Sequence, residues 1–230
     1  MITEAIILAG GLGTRLRSEV PELPKCMAPV NGRPFLHYVI QWLQAQGITR
    51  FVFALGYKHD YFLDFLKATL PESAYVIATE DEPLGTGGAI ANACKQVQTH
   101  TVLVTNGDTL FKGDIPALDQ FHTSKAGACT LLLKPMQQFD RFGVVETATD
   151  GRITSFKEKQ YYEQGLINAG MFALNVPAFT AENLPAKFSF EKDYLEALYP
   201  QRSMYGLAQD AYFIDIGIPE DYRRAQTELA

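Results

Sequence analysis

Short apolar runs alternate with longer amphipathic stretches along the first half of the chain. Each apolar run is hydrophobic at successive positions, which is typical of strands that are buried on both faces. The runs predict strands at Ala5–Leu8, Phe51–Leu55, Tyr75–Thr79, Val102–Thr105 and Thr130–Leu133. The amphipathic stretches between them predict helices at Pro34–Gln46, His59–Leu70, Gly87–Gln96 and Ile115–Thr123. This alternation predicts an α/β fold with a doubly wound, mainly parallel sheet.

The second half has a different pattern, which predicts a small antiparallel portion. The stretch RFGVVETATDGRITSFKEK predicts two strands joined by a turn at Asp150–Gly151. Single strands are expected in LINAGMFALN and in YGLAQDAYFIDIG. FSFEKDYLEALYP predicts an amphipathic helix that is stopped by Pro200, and a closing helix has Pro219 at its start. Because the sequence shows neither a repeat nor a linker, we expect residues 1–230 to form a single domain.

Composition and charge exclude several classes of protein. The net charge of -6 and the pI of about 5.3 argue against a general nucleic-acid binder. No window approaches about 18 consecutive apolar residues, so we expect no transmembrane helix. The start, MITEAIIL, lacks the basic segment of a signal peptide. Cys26, Cys94 and Cys129 have no metal-ligand spacing, and their odd number predicts reduced thiols in the cytoplasm.

The first predicted strand leads into a glycine-rich loop, LAGGLGTRL. Its glycines, Gly10, Gly11 and Gly13, allow backbone amides to approach an anion closely. The dinucleotide fingerprint G-x-G-x-x-G fails at its third glycine, and a Walker loop fails because no lysine directly follows the glycines. Arg15 and Lys25 are close enough in sequence to grip a triphosphate together with those amides. A tight turn with basic groups that face water is the alternative.

Two aspartates are expected where predicted strands end. Asp108 follows the fourth strand in VTNGDTLF, and Asp215 lies in the late run YFIDIG. Ligands of doubly wound sheets bind beyond the carboxyl ends of the strands. Two carboxylates that meet there could share a Mg²⁺ ion with substrate phosphates. An Asx-type turn after Gly107 is the alternative for Asp108.

Several motifs resemble those of the sugar-1-phosphate nucleotidyltransferase family. The family signature is similar to LAGGLGTRL followed by LPKCMAPV. The later blocks of the family are similar to EPLGTGGAI, NGDTLF, FKEK, INAGMF and FIDIGIPEDY. The resemblance covers residues 3–226 and implies a Rossmann-like fold of the nucleotide-diphospho-sugar transferase type. It also implies a nucleotide-binding part over about residues 1–135 and a sugar-binding part over about residues 136–230. One departure is Cys26, where such enzymes more often carry proline.

The resemblance also implies site residues and a divalent cation, Mg²⁺, as cofactor. The implied catalytic residues are Arg15, Lys25 and Asp108, and the implied metal ligands are Asp108 and Asp215. The implied nucleotide contacts are Leu8, Ala9, Gly10, Gly11, Gly13, Thr14, Glu80, Gly85, Thr86, Gly87, Asn106 and Gly107. The implied sugar-phosphate contacts are Gly143, Glu158, Lys159, Asn168, Gly170 and Glu191.

Structural alternatives exist for some of these residues. The glycines of PLGTGGAI could simply start a helix, and Gly170 could mark a strand bulge. Lys159 could be a charged residue at the exposed edge of a strand, and Glu191 could be an acidic residue on the face of a helix. Glu80 is the candidate that would distinguish guanine from uracil, because its carboxylate could accept hydrogen bonds from the N1–H and 2-amino groups of guanine.

Within the family, the chain resembles the branch of enzymes that join GTP to D-glycero-D-manno-heptose 1-phosphate. The stretches that carry this resemblance are RLRSEVPELPK, PLGTGGAI, KFSFEKDYL and YFIDIGIPEDY. Three other pairs stay open: UTP with N-acetylmuramate 1-phosphate, GTP with mannose 1-phosphate, and dTTP or UTP with glucose 1-phosphate. A non-catalytic nucleotide-sensing subunit would not need Lys25, Asp108 and Asp215, and a dehydrogenase would need the complete fingerprint. The expected partners are a nucleoside triphosphate and a sugar 1-phosphate, with neither nucleic acid nor membrane. A homo-oligomer is compatible with the sequence.

Overall fold

A computed structural model describes residues 1–10, 16, 19–56, 59–80 and 82–229 of the chain. The strands are β1 (Glu4–Leu8), β2 (Pro29–Val30), β3 (Arg33–Pro34), β4 (Arg50–Leu55), β5 (Tyr75–Thr79), β6 (Thr101–Asn106), β7 (Thr109–Phe111), β8 (Cys129–Phe139), β9 (Val144–Thr147), β10 (Ile153–Lys157), β11 (Tyr162–Asn175), β12 (Met204–Ala208) and β13 (Phe213–Asp215). The helices are α1 (Phe35–Ala45), α2 (Asp60–Thr69), α3 (Gly85–Cys94), α4 (Ile115–Lys125), α5 (Val176–Thr180) and α6 (Pro219–Glu228).

In the described residues, the centre of the fold is a nine-stranded sheet whose main path runs β10-β9-β11-β6-β1-β4-β5. Strands β5, β4, β1 and β6 are parallel, as the sequence predicts. β11 is antiparallel to both β6 and β8, and β12 pairs in parallel with β8. The predicted α/β fold with a mainly parallel sheet is therefore confirmed. β8 does not adjoin the other parallel strands, because the long apolar strand β11 lies between it and β6.

Helices cover both faces of the sheet, which makes it doubly wound. Successive side chains of a strand point to opposite faces. Ile7 and Phe53 belong to one buried cluster, which includes side chains of α1, α2, α4 and α6. Ile6 and Val52 belong to a second cluster with side chains of α3 and α5. None of the helices in the described part of the chain is long and apolar enough to span a membrane.

Two predicted elements in the second half differ from the structure. The single strand expected in YGLAQDAYFIDIG is wrong, because this stretch forms two strands, β12 in the main sheet and β13 paired with β7. Between them, Gln209 Oε1 accepts a hydrogen bond from the Asp114 amide (2.7 Å). FSFEKDYLEALYP contains a π-helical turn over Phe190–Glu196 rather than a regular α-helix. The antiparallel pair β9–β10 and the start of α6 at Pro219 agree with the prediction.

Glu4 is a buried carboxylate at the end of the sheet opposite the carboxyl ends of the parallel strands. It forms an ion pair with Arg50 and accepts hydrogen bonds from the amides of Gln98 (2.9 Å) and Thr99 (2.7 Å). Burial raises the pKa of Glu4, but its hydrogen-bond partners outweigh burial and lower the pKa below its ordinary value. The charged form therefore stabilises the fold above the pKa of the unfolded chain, and this stabilisation is lost as pH falls through the lowered folded pKa.

We expect Glu4→Gln to lower the free energy of unfolding by about 2 kcal/mol at neutral pH, because hydrogen bonds to a buried charge are lost. The difference from the wild type should shrink as pH falls below the ordinary pKa of glutamate, about 4.3. Urea unfolding at a series of pH values measures both effects. Glu72→Gln, at an exposed position, is the matched control. A constant difference at every pH would contradict the assigned role of the Glu4 charge.

Candidate active site

The two aspartates predicted as metal ligands lie side by side at the end of a small ladder. Asp108 directly precedes β7, and Asp215 is the last residue of β13. The two strands pair antiparallel with Asp215 opposite Thr109, and the Ile216 amide donates to the Asp108 carbonyl oxygen (3.1 Å). This ladder holds the two carboxylates together near the carboxyl end of β6.

The ammonium group of Lys25 lies between these two carboxylates. Lys25 starts a 3-10 turn (Lys25–Met27) that follows Pro24. Its Nζ donates to Asp108 Oδ2 at 2.6 Å and to Asp215 Oδ1 at 3.3 Å. Burial lowers the pKa of Lys25, but the two neighbouring negative charges outweigh burial and raise it. The ammonium therefore remains charged and neutralises part of the charge of the aspartates.

Gly217 allows this close arrangement. A Cβ atom at this position would lie 2.8 Å from both Asp215 Oδ1 and Lys25 Nζ. The Gly217 amide also donates to Asp215 Oδ1 (2.8 Å). A side chain here would push the ammonium or the carboxylate away, so the cluster needs glycine at this position.

The donor atoms of this cluster fit a hard divalent cation. Asp108 and Asp215 both contact one cationic group, so their oxygens lie within reach of a common ion. Within the described ranges, no group of three or more His, Cys, Asp or Glu side chains could hold a metal. Mg²⁺ suits a site with few carboxylates, because it keeps waters and binds substrate phosphates as its other ligands.

A cavity of about 460 Å³ is lined in part by Asp215, whereas Asp108 and Lys25 are not among its lining residues. Ten predicted site residues line it, among them all six predicted sugar-phosphate contacts. They are Leu8, Thr86, Asn106, Gly143, Glu158, Lys159, Asn168, Gly170, Glu191 and Asp215. The structure therefore brings all seven candidates from the second half together with three from the first.

A bulge in β11 shapes one wall of this cavity. The register between β11 and β8 shifts between Asn168 and Phe172, and Gly170 has φ of +71°. Asn168 Oδ1 accepts a hydrogen bond from the Gly170 amide (3.0 Å). A Cβ atom at Gly170 would lie 2.7 Å from Asn106 Nδ2. The strand bulge considered as an alternative for Gly170 is therefore present, and it lies directly against the Asn106 amide.

Other predicted nucleotide contacts lie outside the cavity wall. Gly87 is buried, and its amide donates to the Phe188 carbonyl oxygen (3.0 Å). Glu80 Oε2 accepts a hydrogen bond from the Leu84 amide (3.0 Å), so one carboxylate oxygen of Glu80 is already bonded within its own loop. The predicted residues Ala9, Gly10, Gly85 and Gly107 also lie outside this wall. Gly11, Gly13, Thr14 and Arg15 fall outside the described residues.

Sequence reasoning missed several side chains of the cavity. Phe142, Phe156, Phe190 and Phe213 supply apolar wall, and Lys192 adds a cation. Two of these had a sequence signal. Phe213 is two residues from Asp215 on the same strand, so both share one face. Lys192 directly follows Glu191 in FSFEKDYL.

Comparison with known proteins identifies the family. A model of the family described as nucleotidyl transferase matches residues 4–230. The chain belongs to this family. The nucleotidyltransferase is 48% identical over 226 residues to the D-glycero-alpha-D-manno-heptose 1-phosphate guanylyltransferase of Aneurinibacillus thermoaerophilus, covering 98% of each chain. It is 41% identical over 219 residues to the protein of the same name from Campylobacter jejuni, covering 95% of this chain and 96% of that one.

A solved structure agrees with the fold of this nucleotidyltransferase. HddC from Yersinia pseudotuberculosis, complexed with GMP-PN, superposes with a TM-score of 0.86 at 36% identity, and the match covers 100% of both chains. The nucleotidyltransferase fold expected from the sequence motifs is therefore confirmed.

Gly170→Ala tests the contact between the bulge and Asn106, with Gly32→Ala as its matched control. Both glycines have positive φ, +71° and +76°, but a Cβ at Gly32 would meet nothing within 4 Å. Each substitution should lower the free energy of unfolding by about 1 kcal/mol, because an L-residue at positive φ is strained. Gly170→Ala alone should lower kcat/KM for nucleotidyl transfer, by about tenfold or more, because its methyl group displaces Asn106. Equal activities of the two variants would contradict a role for this contact.

Proposed function

We propose that the protein joins GTP to D-glycero-D-manno-heptose 1-phosphate and releases pyrophosphate. The observation that carries the proposal is the cluster of Lys25 with Asp108 and Asp215 beside a cavity that contains every predicted sugar-phosphate contact. The choice of substrates is supported by the two relatives named for this reaction and by the guanine nucleotide analogue in the HddC complex.

The reaction is a displacement at phosphorus. A phosphate oxygen of the sugar 1-phosphate attacks the α-phosphorus, and the bond from the α-phosphorus to the oxygen that bridges to the β-phosphate breaks. The electron pair of that bond leaves with pyrophosphate. The attacking phosphate is already an anion near neutral pH, so the protein need not supply a covalent nucleophile. Its residues have to position two anions and neutralise their charge.

Asp108 and Asp215 would hold the divalent cation, Mg²⁺, in this proposal. When bound, the cation would neutralise phosphate charge and polarise the α-phosphate. Lys25 occupies the position between the carboxylates that the cation would take, so its ammonium would then be available to the triphosphate. Arg15, outside the described residues, is proposed to contribute a second positive charge there.

The cavity walls divide the remaining roles. Lys159 is proposed to bind the sugar phosphate, and Gly143 and Gly170 permit close approach. Glu158 and Glu191 accept hydrogen bonds from sugar hydroxyls, while Asn168, whose Oδ1 accepts from the Gly170 amide, donates one through Nδ2. Asn106 makes no side-chain hydrogen bond to another described residue, so its side-chain amide is available to the ligand.

The nucleotide part would extend over about residues 1–135 and the sugar part over about residues 136–230 of a single domain. Cys26, Cys94 and Cys129 are buried free thiols, which is consistent with the cytoplasmic location that we propose.

A panel of pyrophosphate-release assays tests the proposed substrates. GTP, UTP, dTTP and ATP are each combined with heptose 1-phosphate, mannose 1-phosphate, glucose 1-phosphate and N-acetylmuramate 1-phosphate. We expect GTP with heptose 1-phosphate to give a kcat/KM at least about tenfold above every other pair, a difference of about 1.4 kcal/mol. A better pair elsewhere in the panel would overturn the substrate assignment. No release with any pair would favour the nucleotide-sensing alternative.

Lys25→Met separates the role of the lysine from that of the aspartates. We expect kcat/KM to fall by about 10²–10³, as for the loss of other groups that stabilise transition-state charge. Mn²⁺ binding without nucleotide, measured by electron paramagnetic resonance, should be unchanged or tighter, because two carboxylates lose their competing cation. Asp108→Asn and Asp215→Asn should instead weaken Mn²⁺ binding by at least about tenfold.

Lys67→Met, at an exposed position of α2, is the matched control for both measurements. Thermal unfolding of each variant checks that the fold is intact. Weakened Mn²⁺ binding by Lys25→Met, or its near-normal turnover, would refute the assigned role of Lys25.

A further inference from the structure

The start of α3 is in unusually close contact with the chain segment that leads into the π-helical turn. We call the two segments, Leu84–Gly88 and Ala186–Glu191, the α3 clasp. The Phe188 amide donates to the Leu84 carbonyl oxygen (3.1 Å), and the Gly87 amide donates to the Phe188 carbonyl oxygen (3.0 Å). A Cβ at Gly88 would lie 2.3 Å from the Ala186 carbonyl oxygen. The segments therefore approach more closely than side chains would permit.

The hydroxyl group of Thr86 lies at the cavity end of the α3 clasp. Thr86 Oγ1 accepts a hydrogen bond from the Phe190 amide (2.9 Å) and donates one to Glu191 Oε2 (2.9 Å). Ser189 Oγ donates to the same carboxylate oxygen (3.3 Å). A threonine hydroxyl has a single proton, and in this arrangement the Thr86 proton is donated to Glu191. Within the described part of the chain, Glu191 Oε1 has no hydrogen-bond partner.

The start of the π-helical turn is fixed in two further ways. Ser189 Oγ accepts a hydrogen bond from the Lys192 amide (3.2 Å), and Asp193 Oδ2 accepts one from the Ser189 amide (2.7 Å). The ring of Phe190 stacks on that of Phe172, with centroids 4.6 Å apart. Phe172 follows the bulge in β11, so the turn is tied to the same cavity wall that carries Gly170. The backbone of Glu191 is thus held in place, and its carboxylate orientation depends on hydroxyl groups.

We propose that Thr86 is a positioning residue for the sugar 1-phosphate, acting through Glu191, rather than a contact of the nucleotide. Its hydroxyl holds Glu191 Oε2, which leaves Oε1 directed at a hydroxyl group of the sugar. The inference rests on the proposed function for the presence of a sugar phosphate in the cavity. It departs from the sequence prediction, which assigns Thr86 to the nucleotide.

Steady-state kinetics of Thr86→Val and Thr86→Ser test this inference. Valine keeps the shape of threonine but has no hydroxyl, so the KM for the sugar 1-phosphate should rise about fivefold to tenfold, while the KM for GTP changes less than about twofold. Serine supplies the hydroxyl again and should reverse most of that rise. Thr227→Val removes an exposed hydroxyl of α6 that contacts only its own helix, and it is the matched control.

The double variant Thr86→Val/Glu191→Ala tests whether Thr86 acts through Glu191. Its KM for the sugar phosphate should stay within about twofold of the value for Glu191→Ala alone, because without the carboxylate the Thr86 hydroxyl has no acceptor left to position. Isothermal titration calorimetry with the sugar 1-phosphate, and thermal unfolding of each variant, separate binding from loss of fold. Effects that multiply in the double variant, or an equal rise of the KM for GTP, would overturn the inference.

The result is distinguishable from failure of the proposed function. If the substrate panel selects another sugar 1-phosphate, the proposed substrate is wrong, and the same variants are measured with that sugar. If the wild type is active and Thr86→Val retains the wild-type KM for the sugar, only the role of Thr86 is wrong. A substrate panel in which the wild type releases pyrophosphate with no sugar 1-phosphate would overturn both.

Discussion

The charge cluster of Lys25 with Asp108 and Asp215 is the interaction on which the site depends. Two carboxylates this close together repel each other unless a cation lies between them. Removal of one partner from such a cluster would leave uncompensated charge in a partly buried place. The cluster also requires three distant chain segments to meet, since the lysine comes from a 3-10 turn, Asp108 directly precedes β7 and Asp215 ends β13. The small β7–β13 ladder is therefore a condition for chemistry as well as for packing.

The second constraint is that the two halves of the chain share one sheet. β11, from the second half, pairs with β6, from the first, so that Met171 lies opposite Thr105. This pairing places the bulge at Gly170 directly against Asn106. Residues proposed for the nucleotide and for the sugar thus lie on neighbouring strands of a rigid element. Sites built on such elements hold their geometry more accurately than sites on loops.

The pattern of hydrophobic and polar residues predicts the secondary structure well where each stretch of sequence forms a single helix or strand. Four of the parallel strands and the helices between them follow from the alternation of apolar and amphipathic runs. The pattern does not predict the two strands in YGLAQDAYFIDIG. The apolar residues before and after a short polar segment belong to strands of two different sheets. The pattern predicts strands at β8 and β11 correctly, but it does not predict their places in the sheet, which depend on which strands pair. Pairing between distant strands is decided by tertiary packing and leaves little local trace.

The order of most elements and the chemical identity of the candidate residues follow from the amino-acid sequence, because glycines, carboxylates and lysines in fixed motifs can be identified from residue type alone. Which of these residues meet depends on the folded chain. The contact of Lys25 with Asp108 spans 83 residues, and that of Thr86 with Glu191 spans 105. Such contacts depend on how strands pair and how closely segments pack, and these are properties of the whole folded chain.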